Sequence, residues 1–314
     1  MPPDACSRRA LLHGSNQPPD VIPMLPHEII QSASNPRVRQ AALLRDASER
    51  RATGHTLVDG LRELFRAAQA GVPIVEVFVD EGAMHQPSLP AGEDAPTGLD
   101  GWLADRAAEG TRVAIVSRRA FEKIAFGSRN EGCVGVVRFA GAALADWGVP
   151  AQAAVLLVEG VEKPGNLGAI LRTADAAGLG GVIVCDGRTD LANPAVIRAS
   201  LGTVFTVPLA CGTTAQAIEW CRTHTRRVIA AMPEGEKLWH AAALGAQAAI
   251  LLGSEAHGIS PAWREAAATG KILWETIRLP MRGRADSLNV SATAAVLAYE
   301  SLRQADLSTP PPSG

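Results

Sequence analysis

The sequence predicts an α/β protein whose C-terminal half is built around a parallel β-sheet, and three observations lead to this class. Apolar runs recur through that half, segments with helical periodicity separate them, and the runs are largely continuous rather than alternating. Continuous apolar runs are typical of parallel strands that helices cover on both faces. The runs are residues 154–158, 181–185, 204–208, 227–231 and 248–253.

A smaller α/β unit is predicted upstream of this sheet. Leu61, Leu64, Phe65 and Ala68 have the i, i+3, i+4, i+7 spacing of one helix face, and Gly71 ends that helix. Short strands are predicted at residues 56–58, 74–80, 112–117 and 133–139, with a loop or insertion at 85–101. The chain is therefore divided into a flexible N-terminal tail (1–30), a small α/β domain (31–140), a linker (141–152), the larger domain (153–305) and a flexible C-terminal tail (306–314).

The composition is that of a globular protein and limits how it binds a polyanion. The 314 residues are 47% hydrophobic and 20% charged, with a net charge of −2. Aromatic residues make up only 4%, so stacking of bases on exposed rings is not expected to dominate nucleic-acid binding. A local basic surface is still possible, because five arginines face two acids between Arg37 and His55; the alternative is a solvated helix face. The arginines are Arg37, Arg39, Arg45, Arg50 and Arg51.

The cysteines and the N-terminal residues predict a cytoplasmic protein without a metal site. The five cysteines form no CxxC pair and have no metal-ligand spacing with histidine. An odd number of cysteines after an N-terminus without an apolar signal segment indicates reduced thiols. No run approaches the ~20 apolar residues of a membrane span, so no membrane association is expected.

The first segment that carries chemistry is residues 158–178, a strand, a glycine-rich turn and a helix. The turn lacks the GKS or GKT of a P-loop, and its glycines do not have the GxGxxG spacing of nicotinamide-dependent enzymes. On the helix, Leu167, Leu171 and Ala174 are predicted to form the buried stripe. Gly168 precedes Arg172 by one turn and is expected to leave room for a bulky partner beside the guanidinium. The alternative is a surface arginine paired with Asp175, three residues on.

The second and third segments are residues 251–260 and 277–300, each a strand end followed by a glycine-bearing loop. Glu255 either binds a polar group or caps the next helix. Ser287, Asn289 and Ser291 exceed the need of a single helix cap, which favours a structured pocket edge. The helix that follows is predicted to turn Ala292, Val296 and Tyr299 inward.

Together the three segments resemble the signature motifs of the SpoU (TrmH-like) branch of the SPOUT methyltransferases. The pattern N-x-G-x-x-x-R-T matches residues 166–173, G-x-E-x-x-G matches 253–258, and P-M-x-G-x-x-x-S-L-N-V-S matches 280–291 at every defined position. Residues 31–140 are more loosely similar to the small substrate-binding domain of the rRNA-modifying members.

The resemblance implies a C-terminal SPOUT domain with a trefoil knot, an obligate homodimer and S-adenosylmethionine as cofactor. It implies that backbone groups of Gly253, Leu279, Met281 and Leu288 bind this cofactor. It also implies that the catalytic residues are Arg172, Asn166, Glu255, Ser287 and Asn289, with Arg172 at the reacting ribose.

The expected activity is therefore methyl transfer from S-adenosylmethionine to a ribose 2′-hydroxyl in RNA, with 23S rRNA as the favoured substrate. The upstream domain and the weakly charged tails favour rRNA over tRNA, since minimal tRNA-modifying members lack such a domain. Three alternatives stay open: a tRNA 2′-O-methyltransferase, a non-catalytic RNA-binding ribosome-assembly factor, and a nicotinamide-dependent α/β enzyme, which the glycine spacing disfavours.

Overall fold

The structure, a computed structural model, describes residues 28–83, 99–126 and 132–308. Most of the N-terminal tail, most of the predicted insertion at 85–101 and residues 309–314 lie outside the described residues. In the described part of the chain, no helix combines the length and the apolar character that crossing a membrane requires.

The smaller unit is a mixed five-stranded sheet covered by helices. Its strands are β1 (Glu28–Ile30), β2 (His55–Asp59), β3 (Ile74–Asp80), β4 (Arg112–Val116) and β5 (Cys133–Arg138). Its helices are α1 (Pro36–Leu43), α2 (Ala47–Thr53), α3 (Leu61–Gln69), α4 (Leu99–Ala108) and α5 (Arg118–Ile124). The sheet order is β1-β4-β3-β5-β2, and β5 runs antiparallel to both of its neighbours. Strand β1 lies within the predicted tail (1–30), so the ordered unit begins before residue 31.

The larger unit is an α/β domain with a parallel sheet, which confirms the predicted fold class. Its strands are β6 (Ala142–Ala143), β7 (Val155–Glu159), β8 (Gly181–Cys185), β9 (Leu209–Gly212), β10 (Arg227–Ala231), β11 (Lys237–Leu238), β12 (Ala248–Leu252) and β13 (Leu273–Arg278). Its α-helices are α6 (Pro164–Ala176), α7 (Pro194–Ala199), α8 (Thr214–Thr223), α9 (Pro261–Ala268) and α10 (Val290–Ser308). The strand order is β11-β13-β10-β12-β7-β8-β9-β6, and every pairing is parallel.

The apolar run at 204–208 is not the strand that its composition predicts. Residues Thr203–Phe205 form a short 3₁₀ turn after Gly202, whose φ is 83°, and the strand β9 begins only at Leu209. The run is apolar for another reason. Val204 is buried, and the ring of Phe205 packs edge-on against Phe139 of the smaller unit with 4.9 Å between centroids. Its side chains serve the contact between the two units.

The segment 141–152, predicted as a linker, is part of the larger unit's packing. Strand β6 pairs with β9 at the edge of the parallel sheet. Leu144 and Trp147 are buried, and the indole of Trp220 on α8 donates to the carbonyl of Trp147 at 3.4 Å. Burial of two large apolar side chains ties this segment to the domain that follows it.

The two units are joined by charged contacts as well as apolar ones, and Arg50 is central to them. Its side chain is buried, and its guanidinium donates to Asp190 Oδ2 at 2.7 Å, across the boundary between the units. In a second ion pair the cation comes from the larger unit: Arg198 pairs with Asp59 of the smaller unit at 3.2 Å. Of the arginines between Arg37 and His55, Arg50 therefore has a structural role, and Arg39 and Arg51 are exposed.

Helix α6 buries the predicted stripe, but the expectation for Gly168 is wrong. Leu167, Leu171 and Ala174 are fully buried, as predicted. Gly168 is also buried, because α6 packs tightly against the end of α7. A Cβ at this position would meet the Cβ of Ala199 at 2.4 Å and the amide nitrogen of Ser200 at 2.8 Å. The missing side chain makes room for a neighbouring helix and not for a partner of Arg172.

Gly168→Ala is expected to destabilise the fold by about 1–3 kcal/mol, since the new methyl group meets backbone that cannot easily move. Gly165→Ala is the matched control on the same helix, because a Cβ there has nothing within 4 Å. The control should be neutral or gain up to about 1 kcal/mol from helix propensity. Urea unfolding measures both changes, and equal stability of the two variants would contradict the packing argument.

Helix α10 is rotated relative to the prediction, and the inward stripe of Ala292, Val296 and Tyr299 is wrong. Val290, Ala294 and Leu297 are the buried positions instead. Asn289 caps the helix, accepting from the amide of Ser291 at 2.9 Å, so the helix begins at Val290. Ala292 is exposed, Val296 is half-buried and Tyr299 is 53% exposed, so an apolar stripe faces outward.

Candidate functional site

A cavity of about 550 Å³ lies at the carboxyl ends of β10, β12 and β13. This is the edge of a parallel sheet where ligands usually bind. Every predicted cofactor-binding residue lines it, and so do three of the predicted catalytic residues. These lining residues are Gly253, Leu279, Met281 and Leu288, together with Glu255, Ser287 and Asn289.

One wall is the tight loop that follows β12. Ser254 and Gly258 exchange two backbone hydrogen bonds of 3.0 Å, and Gly258 has a φ of +67°. A Cβ on Gly253 would lie 2.2 Å from the carbonyl carbon of Gly258. Glycine is therefore required at 253 by close approach of the backbone and favoured at 258 by conformation. The loop presents backbone groups to the cavity with little intervening side chain.

The opposite wall is the loop between β13 and α10. Leu279 and Met281 are half-buried, and Leu288 is 43% exposed, so the wall is partly apolar. Asn289 ends this loop as the cap of α10, which supports the cap interpretation for this one residue of the three considered. Ser291 donates its hydroxyl to the same Asn289 oxygen at 2.6 Å.

A chain of side-chain hydrogen bonds joins the three motif segments. The side-chain amide nitrogen (Nδ2) of Asn166, in the first turn of α6, donates to Glu255. Its amide oxygen accepts from the Asn289 side chain at 3.2 Å. Residues from three separate parts of the sequence thereby meet at one point. Asn166 fixes the two loops that form the cavity walls relative to each other.

Arg172 is placed differently from the other predicted catalytic residues. It is exposed and does not line the cavity. It lies six residues after Asn166 on α6, which is about 9 Å along the helix axis and on a different face. Among the described residues it has no ion pair, and Asp175 in particular does not contact it within salt-bridge distance. A guanidinium without a partner is available for an external anion.

Glu159 lies outside the cavity and holds neighbouring helices in place, and it was not predicted from the sequence. This buried carboxylate at the end of β7 accepts from the Thr214 hydroxyl at 2.6 Å and from the Ser260 amide and hydroxyl at 2.8 and 2.7 Å. The indole of Trp263 donates to it at 3.2 Å. It thereby anchors the starts of α8 and α9, and α9 follows the Gly253 loop. An acid ending an apolar run was the only signal available.

The cavity has the electrostatics of a site for a cation. A hydrogen bond from its own backbone amide, and then one from Arg264 at 2.7 Å, lower the pKa of Glu234 at the cavity edge. Glu234 is therefore ionised at neutral pH, but it is paired with Arg264, which also lines the cavity. The carboxylates of Glu255 and Asp286 line the same cavity and have no ion pair among the described residues. In the described part of the chain, no three His, Cys, Asp or Glu side chains gather as metal ligands would. Negative charge beside apolar side chains suits a small organic cation.

Comparison with solved structures places this chain in the class of RNA ribose methyltransferases with the SPOUT fold. A solved structure described as an RNA 2′-O ribose methyltransferase is 34% identical with a TM-score of 0.72, covering 88% of this chain and 98% of its own. The S-adenosylmethionine-bound rRNA methyltransferase from Sinorhizobium meliloti is 26% identical with a TM-score of 0.73, covering 88% and 97%.

The family follows from the sequence matches. The profile of the SpoU rRNA Methylase family matches residues 153–299, and that of the MRM3-like substrate binding domain matches residues 35–135. The 23S rRNA (guanosine-2′-O-)-methyltransferase RlmB of Bordetella pertussis is 32% identical over 64% of this chain and 81% of its own length. The chain belongs to the SpoU rRNA methylase family.

Proposed function

We propose that this protein transfers a methyl group from S-adenosylmethionine to a ribose 2′-hydroxyl of 23S rRNA. The observation that carries the proposal is the meeting of three motif segments, through Asn166, Glu255 and Asn289, at the rim of one cavity. The relative from Bordetella pertussis is named for this reaction on 23S rRNA. The smaller unit, matched by a substrate-binding profile, favours a large folded RNA over tRNA.

The cavity residues fit the methyl donor. Gly253 leaves backbone exposed where a Cβ has no room, and Leu279, Met281 and Leu288 supply apolar contacts. S-adenosylmethionine supplies an electrophilic methyl group on a positively charged sulfonium. The carboxylates of Glu255 and Asp286 complement such a charge, and the apolar side chains limit the access of water.

Arg172 has the chemistry to hold the acceptor. A ribose 2′-hydroxyl is a weak nucleophile and must be oriented toward the methyl group. The guanidinium keeps its proton at neutral pH, so it orients the hydroxyl and a neighbouring phosphate by paired hydrogen bonds rather than acting as the base. Asn166, Glu255 and Asn289 keep the loops in register, and Ser287 adds a polar group at the cavity edge.

A homodimer completes the proposed site. Arg172 does not line the cavity of its own chain, and the guanidinium would instead serve the cavity of a second copy. The outward stripe of Ala292, Val296 and Tyr299 on α10 is the apolar surface that a second copy would cover. Helix α10 packs directly on α6, which places this stripe and Arg172 on neighbouring helices.

Tyr299→Asp is expected to convert the dimer into a monomer and to abolish methylation, because a charge is placed in the apolar contact. Leu43→Asp is the matched control, since Leu43 is 49% exposed on α1, away from this surface. Sedimentation analysis of both variants measures the change. A Tyr299→Asp variant that stays dimeric would refute the assignment of this surface.

We also propose that the larger unit contains a trefoil knot and that the enzyme is cytoplasmic. Strand β13 lies in the sheet between β10 and β11, although both precede it in the chain. The connection from β10 to β11 therefore crosses β13, and a Cβ on Gly235 in that connection would lie 2.2 Å from the carbonyl carbon of Ile277. Such a crossing supports threading of the C-terminal segment through this loop.

Ribose-methylation mapping of total RNA from a deletion strain tests the activity. We expect one 2′-O-methylated nucleotide of 23S rRNA to disappear and to return with the wild-type gene but not with an Arg172→Ala gene. Loss of a tRNA methylation alone would refute the rRNA assignment. Absence of S-adenosylmethionine binding by calorimetry would instead favour a non-catalytic assembly factor.

A further inference from the structure

We propose that a second cavity on the same rim binds an unpaired nucleotide of the RNA that flanks the methylated one. This cavity, the rim cleft, has a volume of about 570 Å³ and lies between the smaller unit and the carboxyl ends of β8 and β9. Arg50, Arg51, Phe139, Asp186 and Asp190 are among its lining residues. The inference rests on the proposed function, because the nucleotide belongs to the same RNA.

The strand order places the rim cleft beside the first cavity. From β12, which carries the Gly253 loop, the sheet continues through β7 to β8 and β9. Neighbouring strands are about 4.8 Å apart, so the two cavities are about 10–15 Å from each other along the rim. The loop after β7 lies between them and carries Lys163, which is exposed and has no ion pair in the part of the chain that the structure describes. A nucleic-acid backbone joining the cavities would pass this lysine.

The interior of the rim cleft suits a neutral base rather than a free anion. The charge of Arg50 is balanced by Asp190 at 2.7 Å, and Asp186 accepts from the amide of Thr214 at 2.9 Å. Asp190 is half-buried, and its ion pair with Arg50 leaves little net charge at this wall of the cleft. Half-buried Phe139 adds an aromatic wall.

Arg51 marks the mouth of the rim cleft. Unlike Arg50, it is exposed and has no carboxylate partner among the residues described. The base would enter the cleft while its phosphate stays outside, within reach of this guanidinium. The backbone of the cleft loop is also unusual, since Asp186 has a φ of 45°, a left-handed conformation that few non-glycine residues adopt.

Filling the rim cleft is the first test. Ala140 is exposed and lines the cleft, so Ala140→Trp places a ring where the base would lie. Filter binding to protein-free 23S rRNA from the deletion strain, without methyl donor, should show an affinity about 10-fold lower, as expected for one lost base contact. S-adenosylmethionine affinity and thermal midpoint should not change. Ala151→Trp, on an exposed turn outside both cavities, is the control and should bind as wild type.

Charge removal at the mouth is the second test and does not depend on packing. Arg51→Ala should weaken binding of the same rRNA and reduce the salt dependence of the association constant by about one phosphate contact. Arg119→Ala removes an equal charge from exposed surface on α5 and should leave the slope unchanged. With 4-thiouridine in the RNA, photocrosslinks should map to peptides containing Phe139 or residues 186–192.

Wild-type rRNA affinity and salt slope in both Ala140→Trp and Arg51→Ala would overturn this inference. So would crosslinks confined to the loops around the first cavity. These measurements are made without methyl donor, and failure of the proposed function appears separately, as a wild-type protein that leaves every ribose unmethylated.

Discussion

Arg172→Ala is expected to slow RNA methylation by about 10²- to 10³-fold while leaving S-adenosylmethionine binding and dimerisation nearly intact. The reason is geometric. Arg172 is exposed, outside the cavity proposed to hold the donor, and without an ion pair among the described residues. Its removal therefore costs the fold little. It would leave the acceptor hydroxyl and the adjacent phosphate without their bidentate donor.

Single-turnover methylation of rRNA from the deletion strain, with saturating methyl donor, measures this effect. Asp175→Ala is the control on the same helix and should methylate at the wild-type rate. Arg172→Lys keeps the charge but loses the planar pair of donors, so it should recover only part of the activity. Wild-type rates in Arg172→Ala would remove this residue from the proposed mechanism.

Gly253→Ala is expected to weaken S-adenosylmethionine binding by about 10- to 100-fold. The new methyl group would lie 2.2 Å from the carbonyl carbon of Gly258 and 2.5 Å from the amide nitrogen of Ile259. Both are backbone atoms in a loop closed by its own hydrogen bonds, so relief requires the loop to open. Overpacking of this kind costs about 1–3 kcal/mol, and at this position we expect the cost to reduce the free energy of S-adenosylmethionine binding.

Isothermal calorimetry with S-adenosylmethionine measures the loss. Gly283→Ala is the matched control in the loop after β13, since a Cβ there has nothing within 4 Å and Gly283 is not among the glycines with positive φ. We expect wild-type affinity in the control. Equal affinities in both variants would show that the Gly253 loop does not hold the donor.

The sequence predicted the strands of the larger sheet well where both faces are covered. The bounds of β8 and β10 agree with the apolar runs at 181–185 and 227–231 because burial on two faces leaves no alternation to misread. The run at 204–208 was misread, since its side chains pack across the boundary between units, a contact far from it in the chain.

Helix phase and support of the site were harder to predict. Helix α10 carries two apolar stripes, and periodicity alone does not choose between Ala292 with Tyr299 and Ala294 with Leu297. The three motif segments were expected at one rim, and Asn166, Glu255 and Asn289 lie in contact there, whereas Arg172 does not line the cavity. The role of Glu159 could not be predicted from the sequence, because its hydrogen-bond partners lie 55 to 104 residues away along the chain.

The contacts between the two units have a consequence for how a target is selected. Phe139 packs on Phe205, Arg66 donates to the carbonyl of Leu201 at 2.6 Å, and Arg198 pairs with Asp59. These contacts hold the smaller unit at a fixed position relative to the larger unit, rather than leaving it connected by a flexible linker alone. For an enzyme of the proposed kind, this fixed geometry sets the distance between the RNA feature bound by the smaller unit and the methyl donor. That distance then determines which ribose is methylated.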